Sequence, residues 1–392
     1  MPDALDDFRT ESRTWILANF PASLKGRTAM DYQMNPALAD EPDFELWRTR
    51  MGDKGWGVAT WSPEYGAAGL SKAEAKVIDV ELAKAGAFNP IGGMGVMMFG
   101  PTLLEYGNAE QKAKHIPPIV RGEIRWCQGF SEPGAGSDLA SLQTKCEDKG
   151  DHWLVNGSKI WTSGANYADW CFCLVRTDTS RKHEGISFLL IDMKTPGVET
   201  RPIKLISGAS PFCETFFTDV KVPKENLVGP LNGGWTIAKR LLEHERGGLS
   251  GNGRGVGPGL DDMARTYVGT DAAGRIDDPE LRVRITQNKM AAHAFAQTLA
   301  RTAAEAKAGG RVNASVSILK NAGSTIAQEK AELAIEIMGV QGLGWAGDGF
   351  STDEIETVRV WLSGKAYSIY GGSQEIQNNI IAKRVLGLLD HQ

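Results

Sequence analysis

The spacing of apolar residues along the chain is helical, then strand-like, then helical again. In the first part, Leu5, Phe8, Ser12, Trp15 and Ile16 recur near helical intervals, and Glu74 through Ala87 forms a second amphipathic stretch. The loop WSPEYGAAGLS (61–71) interrupts the rhythm with Pro63, Gly66 and Gly69. Residues 101–123 predict two short helices, ended by Gly107 and by Pro117-Pro118. From Arg125 to Val228 the pattern becomes short apolar runs separated by turns: RWCQGF, DHWLVNGSKIW, DWCFCLVRTD, ISFLLIDM and ETFFTDVKV. Asn156-Gly157 predicts a tight hairpin turn. Together these runs predict an antiparallel β domain of sandwich or barrel type. Helical spacing returns from Gly234, in Thr236–Glu245, Pro279–Gly309, Val312–Met338 and Ser373–Leu388, and predicts an up-and-down bundle.

The expected architecture is therefore α+β and multidomain. It comprises an N-terminal helical domain (1–122), a middle antiparallel β domain (123–230) and a C-terminal four-helix bundle (231–392). A length of 392 residues suits two or three domains with enough buried surface to need no disulfide or metal staple.

Charge and composition narrow the partners. The net charge is −5, with no basic excess to neutralise a phosphate backbone, so nucleic acid is a poor partner. No apolar run approaches the ~20 residues that cross a bilayer. The acidic N-terminus MPDALDDFRTESRTW lacks the apolar core of a signal peptide. Five cysteines, at 127, 146, 171, 173 and 213, form no C-x-x-C; the expectation is free thiols in a reducing cytoplasm. Cys171 and Cys173 alternate along one strand and so share a face, which points to core packing and not to a metal site.

Several motifs fail on context. GLGWAG (342–347) matches G-x-G-x-x-G but follows a helical segment, so a helix end and tight loop is the better reading. No P-loop, H-E-x-x-H or G-x-S-x-G elbow occurs. His244 is a neighbour of an interesting segment more than a catalyst.

Three segments differ from ordinary packing. QGFSEPGAGSD (128–138) follows a predicted strand and combines Gly134, Ala135 and Gly136, which allow close backbone approach, with the donors Ser131 and Ser137. NGSKIWTSGANYADW (156–170) places Trp161 among Thr162, Ser163 and Gly164, a flat ring beside hydroxyl donors that suits an aromatic cofactor. YSIYGGSQEIQNNIIAKRVLG (367–387) breaks at Gly371-Gly372, and Ser373 can cap the helix that follows.

In this order the three segments resemble the acyl-CoA dehydrogenase family of flavoproteins. The family's T-E-P-x-A-G-S-D appears as Ser131 to Asp138, its N-G-x-K-x-W-I-T as Asn156 to Ser163, and its Y-E-G-T-x-E-I-Q as Tyr370 to Gln377. The resemblance covers nearly the whole chain, including Gly107 and Glu110-Gln111-Lys112. It implies FAD held between the β domain and the bundle. Phe130, Ser131, Trp161 and Ser163 would border the flavin ring. Gly136 and Ser137 would stand where flavin meets acyl-CoA. Ser373 and Glu375 would contact the dinucleotide. It also implies α,β-dehydrogenation of an acyl-CoA thioester, as in fatty acid β-oxidation, reoxidation by an electron-transfer flavoprotein, and a tetramer. That chemistry needs a base in a dry site and donors to the thioester oxygen, where enolate charge develops.

The chain departs from one branch of the family, whose base is the Glu of Y-E-G-T. Gly371 stands there, so only an amide N–H remains beside Tyr370. Another branch carries the base in a Glu-Arg pair on the first helix of the last domain. Leu242-Glu243-His244-Glu245-Arg246 matches that region, making Glu245 the expected base, Arg246 an acyl-CoA contact and Glu243 the fallback. The family's R-K-T-F-G is absent; Arg282 or Arg284 would take the pyrophosphate role, and the family's Gln before the glycine loop is Glu336, which leaves Gly339 as the better dinucleotide contact. Gly247, Gly248 and Gly251 follow the expected base and would leave room for a branched or ring-bearing acyl group. Three alternatives are an oxidase of the same fold, an FAD-binding partner subunit in a mixed oligomer, and a helical interaction protein without cofactor.

Overall fold

The computed structural model describes residues 4–34, 38, 40–249, 259–308 and 315–389. Its helices are α1 (Ala4–Asn19), α2 (Ala29–Met34), α3 (Pro42–Asp53), α4 (Lys72–Ala85), α5 (Gly100–Tyr106), α6 (Ala109–Val120), α7 (Gly234–Leu249), α8 (Leu260–Tyr267), α9 (Pro279–Lys307), α10 (Ser315–Met338), α11 (Thr352–Gly364) and α12 (Gln374–Ile380). Its strands are β1 (Trp126–Gly129), β2 (Lys145–Asp148), β3 (His152–Ser163), β4 (Trp170–Arg176), β5 (Ile186–Asp192), β6 (Val198–Ile203), β7 (Phe212–Pro223) and β8 (Leu227–Val228). The chain is an N-terminal helical region, a middle β sheet and a C-terminal helical region, as its apolar rhythm predicts. It forms two compact units: Met1–Ile203 with Ser210–Gly248, and Lys204–Ala209 with Leu249–Gln392.

Local chemistry explains most boundaries. Ser71 and Glu74 form a capping box that starts α4, Val77, Ile78 and Leu82 bury one face, and Gly86, at φ 67°, ends it. Pro117 and Pro118 do not end a helix, as their sequence suggests, but lie inside α6. Proline's fixed φ is compatible with the helix, and buried Ile116, Ile119 and Val120 hold the turn despite the missing donors.

In the first unit the strands run in the order β6-β7-β3-β2-β4-β5-β8. Pairing is mainly antiparallel, but β1 lies parallel to β4, with Cys127 opposite Cys171, and Lys145 of β2 pairs in parallel with Arg176. The Asn-Gly pair is not a hairpin turn. It sits inside β3, at a bulge where pairing shifts between Val155 and Gly157. Asn156 Oδ1 accepts the Asp219 N–H at 2.8 Å, so its side chain takes over a backbone role. A Cβ on Gly157 would stand 2.7 Å from Thr144 Cα, and only glycine fits. The β2–β3 turn falls at Gly150 instead, with φ 92°.

Strands β4 and β5 are buried on both faces. Phe172, Leu174, Phe188 and Leu190 pack with Phe99, Leu103 and Ile116 of the helices. On the opposite face Cys171, Cys173, Leu189 and Ile191 pack with Trp153, Val155, Val220 and Val222, so the sheet curls around its own core. All five cysteines are free and buried, and all lie in this second cluster. Helix α7 buries Ile237, Ala238 and Leu241 in the first cluster, so it packs within the first unit although it lies beyond residue 230.

The second unit is helical, with α10 packed against α8, α9, α11 and α12. Leu260, Met263, Ile285, Leu333, Ile337 and Val358 lie in its core. Helices α8 and α11 were not expected. The start of α11 was legible, since Ser351 and Glu354 form another capping box.

Candidate functional site

In the first unit, two of the three unusual segments are tied together. Ile160 N–H donates to the Ser131 carbonyl at 2.9 Å. Beneath them, Lys159 is fully buried and donates to Glu132 Oε1 at 2.8 Å and to the Phe130 carbonyl at 3.2 Å. Glu132 also accepts the Gln143 N–H at 2.6 Å, the Thr144 N–H at 2.8 Å and the Thr144 hydroxyl at 2.6 Å. Burial alone would raise its pKa, but Lys159 and the other donors outweigh it and hold the carboxyl below its usual range. The Glu-Pro and Lys positions of the two motifs thus form an internal clamp. Sequence reasoning missed both residues. The available signal was a lysine in register with Trp153 and Val155, on the inward side of β3.

The clamp sets the surface above it. Pairing of β3 with β7 shifts again between Lys159 and Thr162, and at this bulge Trp161 takes φ 61°. Its ring meets Phe212 edge-on at 6.0 Å and stays 52% exposed. A large ring held outward on a left-handed residue is costly unless something uses it. The Ser131 and Ser163 hydroxyls make no hydrogen bond among the described residues, and Thr162 Oγ1 is buried without a partner. The Phe130 ring is only 5% exposed and packs edge-on against Phe172 and Phe188.

The glycine loop continues outward. A Cβ on Gly134 or Gly136 would meet nothing within 4 Å, so the unit's own packing does not demand glycine at either position. Gly136 and Ser137 are exposed. Asp138 is held by Lys182 at 2.8 Å, which with Ser141 lowers its pKa. Arg176 donates to four carbonyls, of Ala140, Leu142, Arg181 and Lys182, and joins the two loops.

On α7, Glu243 is exposed and pairs at 2.8 Å with Arg240, whose Nε also donates to Glu105 at 2.8 Å. Burial lowers the His244 pKa, and Arg240 adds to the effect. The helix continues through Glu245, Arg246, Gly247 and Gly248; the Glu245 and Arg246 side chains lie outside the described residues, as does the whole of Gly251.

In the second unit, Arg284 pairs with Glu336 at 2.5 Å, whereas Arg282 caps the Ile276 carbonyl and has no carboxylate partner among the described residues. Of the two, Arg282 is the one whose charge is uncompensated among the described residues. Gly339 ends α10 at φ 55°. Tyr370 is 48% exposed; burial of its hydroxyl, with Tyr367 nearby, pushes its pKa up to about 12. Gly371 and Gly372 take φ 66° and 91°. Ser373 caps α12, accepting the Ile376 N–H, and lies beside Glu375, whose carboxyl is held low by its own N–H and the Ser373 hydroxyl. Among the described residues no cluster has metal-ligand character, and no helix is long and apolar enough to cross a membrane.

Comparison with known proteins identifies the family. The acyl-CoA dehydrogenase N-terminal domain matches residues 29–123, the middle domain 127–220 and the C-terminal domain 232–386. Acyl-CoA dehydrogenase IpdE1 of Mycolicibacterium smegmatis is 35% identical over 98% of both chains. The solved Tcur3481–Tcur3483 steroid ACAD is similar at TM-score 0.76 and 29% identity, covering 100% of this chain and 99% of its own. The ChsE4–ChsE5 complex of Mycobacterium tuberculosis is similar at TM-score 0.75 and 27% identity, with the same coverage.

Proposed function

The chain belongs to the acyl-CoA dehydrogenase family, flavin-dependent oxidoreductases of CH–CH groups, and on that footing we propose that it binds FAD and converts an acyl-CoA thioester to the trans-2-enoyl-CoA. The observation that carries this is Trp161, held left-handed and outward beside the Ser131 segment by the Glu132–Lys159 clamp. An exposed aromatic ring, unpartnered hydroxyls at Ser131 and Ser163, an orphaned Thr162 oxygen and open glycines at 134 and 136 fit a flat hydrogen-bonding ring system. Arg282, Gly339, Ser373 and Glu375 are the proposed dinucleotide contacts.

FAD, when bound, supplies the acceptor for the β hydrogen, which leaves the substrate as hydride. The chain's own part is acid–base and positional. Glu245 takes the α proton; Glu243 is already committed to Arg240, which favours this assignment. The Gly371 N–H donates to the thioester oxygen as negative charge gathers there, a role that needs only main chain and survives the loss of the carboxylate. Ser137, Arg246 and Tyr370 hold the acyl-CoA. The substrate is a bulky, ring-bearing acyl group: glycines follow Glu245, and a steroid ACAD is among the similar structures. The electron acceptor is an electron-transfer flavoprotein. Two of the similar structures, the ChsE4–ChsE5 complex and the Tcur3481–Tcur3483 steroid ACAD, are named for two chains, which favours a second reading in which this chain works in a mixed tetramer with a related subunit.

Anaerobic titration with straight-chain, branched and ring-bearing acyl-CoAs, followed by flavin absorbance, tests the proposal. Bleaching by a ring-bearing thioester is expected. Faster bleaching by medium straight chains refutes the substrate class, and a protein colourless after added FAD refutes the cofactor. Glu245→Gln should retain FAD and slow bleaching about a thousandfold, the contribution of a positioned catalytic base; retained bleaching moves the base elsewhere.

A further inference from the structure

Helix α10 presents two rows of polar side chains to the segment that carries Tyr370 and Gly371. In the first row Lys320 Nζ donates to the Tyr367 carbonyl, and Ser324 Oγ lies 2.9 Å from the same oxygen. Lys320 also donates to Ser324 Oγ at 3.0 Å, and Gln328 Nε2 donates to the Gly364 carbonyl at 2.9 Å. These three residues are spaced i, i+4, i+8 and therefore share one helix face. In the second row Asn321 Nδ2 donates to Asn378 Oδ1 at 2.7 Å, and Gln374 Nε2 donates to Thr325 Oγ1 at 3.4 Å. The chain is thus gripped on both sides of residues 369–373. Between the grips Tyr370 N–H donates to Ala366 at 3.0 Å, and Gln377 Nε2 reaches back to the Gly371 carbonyl at 3.4 Å.

Lys320 is an unusual choice for packing alone. It pairs with no carboxylate among the described residues, and burial lowers its pKa. A partly buried ammonium without a counter-ion costs stability that a methionine of similar length would not. What it holds is the Tyr367 carbonyl on one side and the Tyr370 ring, 5.8 Å away, on the other.

We infer that Lys320, with Ser324 and Gln328, is a positioning residue that sets where the Gly371 N–H points, and so how the chain holds a thioester oxygen. The inference rests on the reading above, in which Gly371 meets the thioester. Two probes separate the two ideas: benzoyl-CoA, which has no α hydrogen to lose, and S-benzyl-CoA, which lacks only the thioester oxygen. Calorimetry on the wild-type protein as purified should show tighter binding of benzoyl-CoA. Lys320→Met should weaken benzoyl-CoA binding about tenfold, the worth of one misaligned hydrogen bond to a polar acceptor, and leave S-benzyl-CoA unchanged. Lys320→Arg should restore part of the preference. A merely structural lysine would lower the melting temperature and leave the preference intact, and that result overturns the inference. If Lys320→Met does not fold, Ser324→Ala reads the same ratio, with a smaller loss expected and an unchanged ratio again decisive against it. A wild type without any preference overturns the placement of Gly371 itself.

Discussion

Replacing Lys159 by methionine removes the cation from a carboxylate that is only 8% exposed. Glu132 keeps its three donors from Gln143 and Thr144, at 2.6 to 2.8 Å, and the Phe130 carbonyl loses a donor. Breaking a buried ion pair from one side costs about 3–5 kcal/mol, because the other charge stays behind without compensation. The surviving donors place this case near the low end, at about 3 kcal/mol. Adding Glu132→Gln to Lys159→Met removes the stranded charge, so the double variant should be more stable than Lys159→Met alone, with a coupling of about 2 kcal/mol. The pH dependence has a defined sign. The folded Glu132 pKa lies below its ordinary value of 4.5, so its contribution is present above that value and is lost as pH falls through the folded pKa. Without Lys159 the carboxyl protonates at higher pH and becomes cheap to bury. The deficit of Lys159→Met should therefore shrink as pH falls from about 7 towards 4.5. Urea unfolding followed by tryptophan fluorescence, run on the wild type, both single variants and the double variant, measures each quantity. A deficit under about 0.5 kcal/mol, or single losses that simply add, would refute the clamp.

Two other changes test the surroundings. Trp161→Gly relieves a left-handed residue, so stability should hold or rise by up to about 1 kcal/mol while FAD affinity drops, as read by flavin fluorescence during dilution; unchanged affinity removes Trp161 from the flavin site. His115 is buried edge-on against Trp126 and Trp170, and burial pulls its pKa from 6.5 down to about 4. The unfolded chain takes up that proton first, so stability should fall on the order of 3 kcal/mol between pH 7 and pH 4 from this group, and His115→Gln should flatten the urea-midpoint profile over that range.

Much of the fold was legible because burial has a local period. The rhythm of 3.6 marked α1, α4, α9 and α10, short apolar runs bounded by turns marked β3 to β5, and the alternation of Cys171 and Cys173 already placed both thiols on one face. The motifs at 128–138, 156–170 and 367–387 stood out because they break those periods with small and donor residues. Other features depend on partners that no local window contains. Asn156-Gly157 has the chemistry of a turn, but Asp219, far along the chain, claims the asparagine side chain and makes the pair a bulge. Pro117-Pro118 look like a stop, yet a buried apolar face carries α6 through them. Glu132 and Lys159, 27 positions apart, become one charge pair only when β3 is laid beside the loop after β1, and Lys320 meets Tyr367 only when α10 packs against the turn after α11. Sequence thus determined the elements and the kinds of chemistry available, since both follow from each residue and its near neighbours. Tertiary structure alone decided which charges are paired, which hydroxyls are left open and which backbone amides are held in place, because those depend on desolvation and on distances between segments remote in the chain.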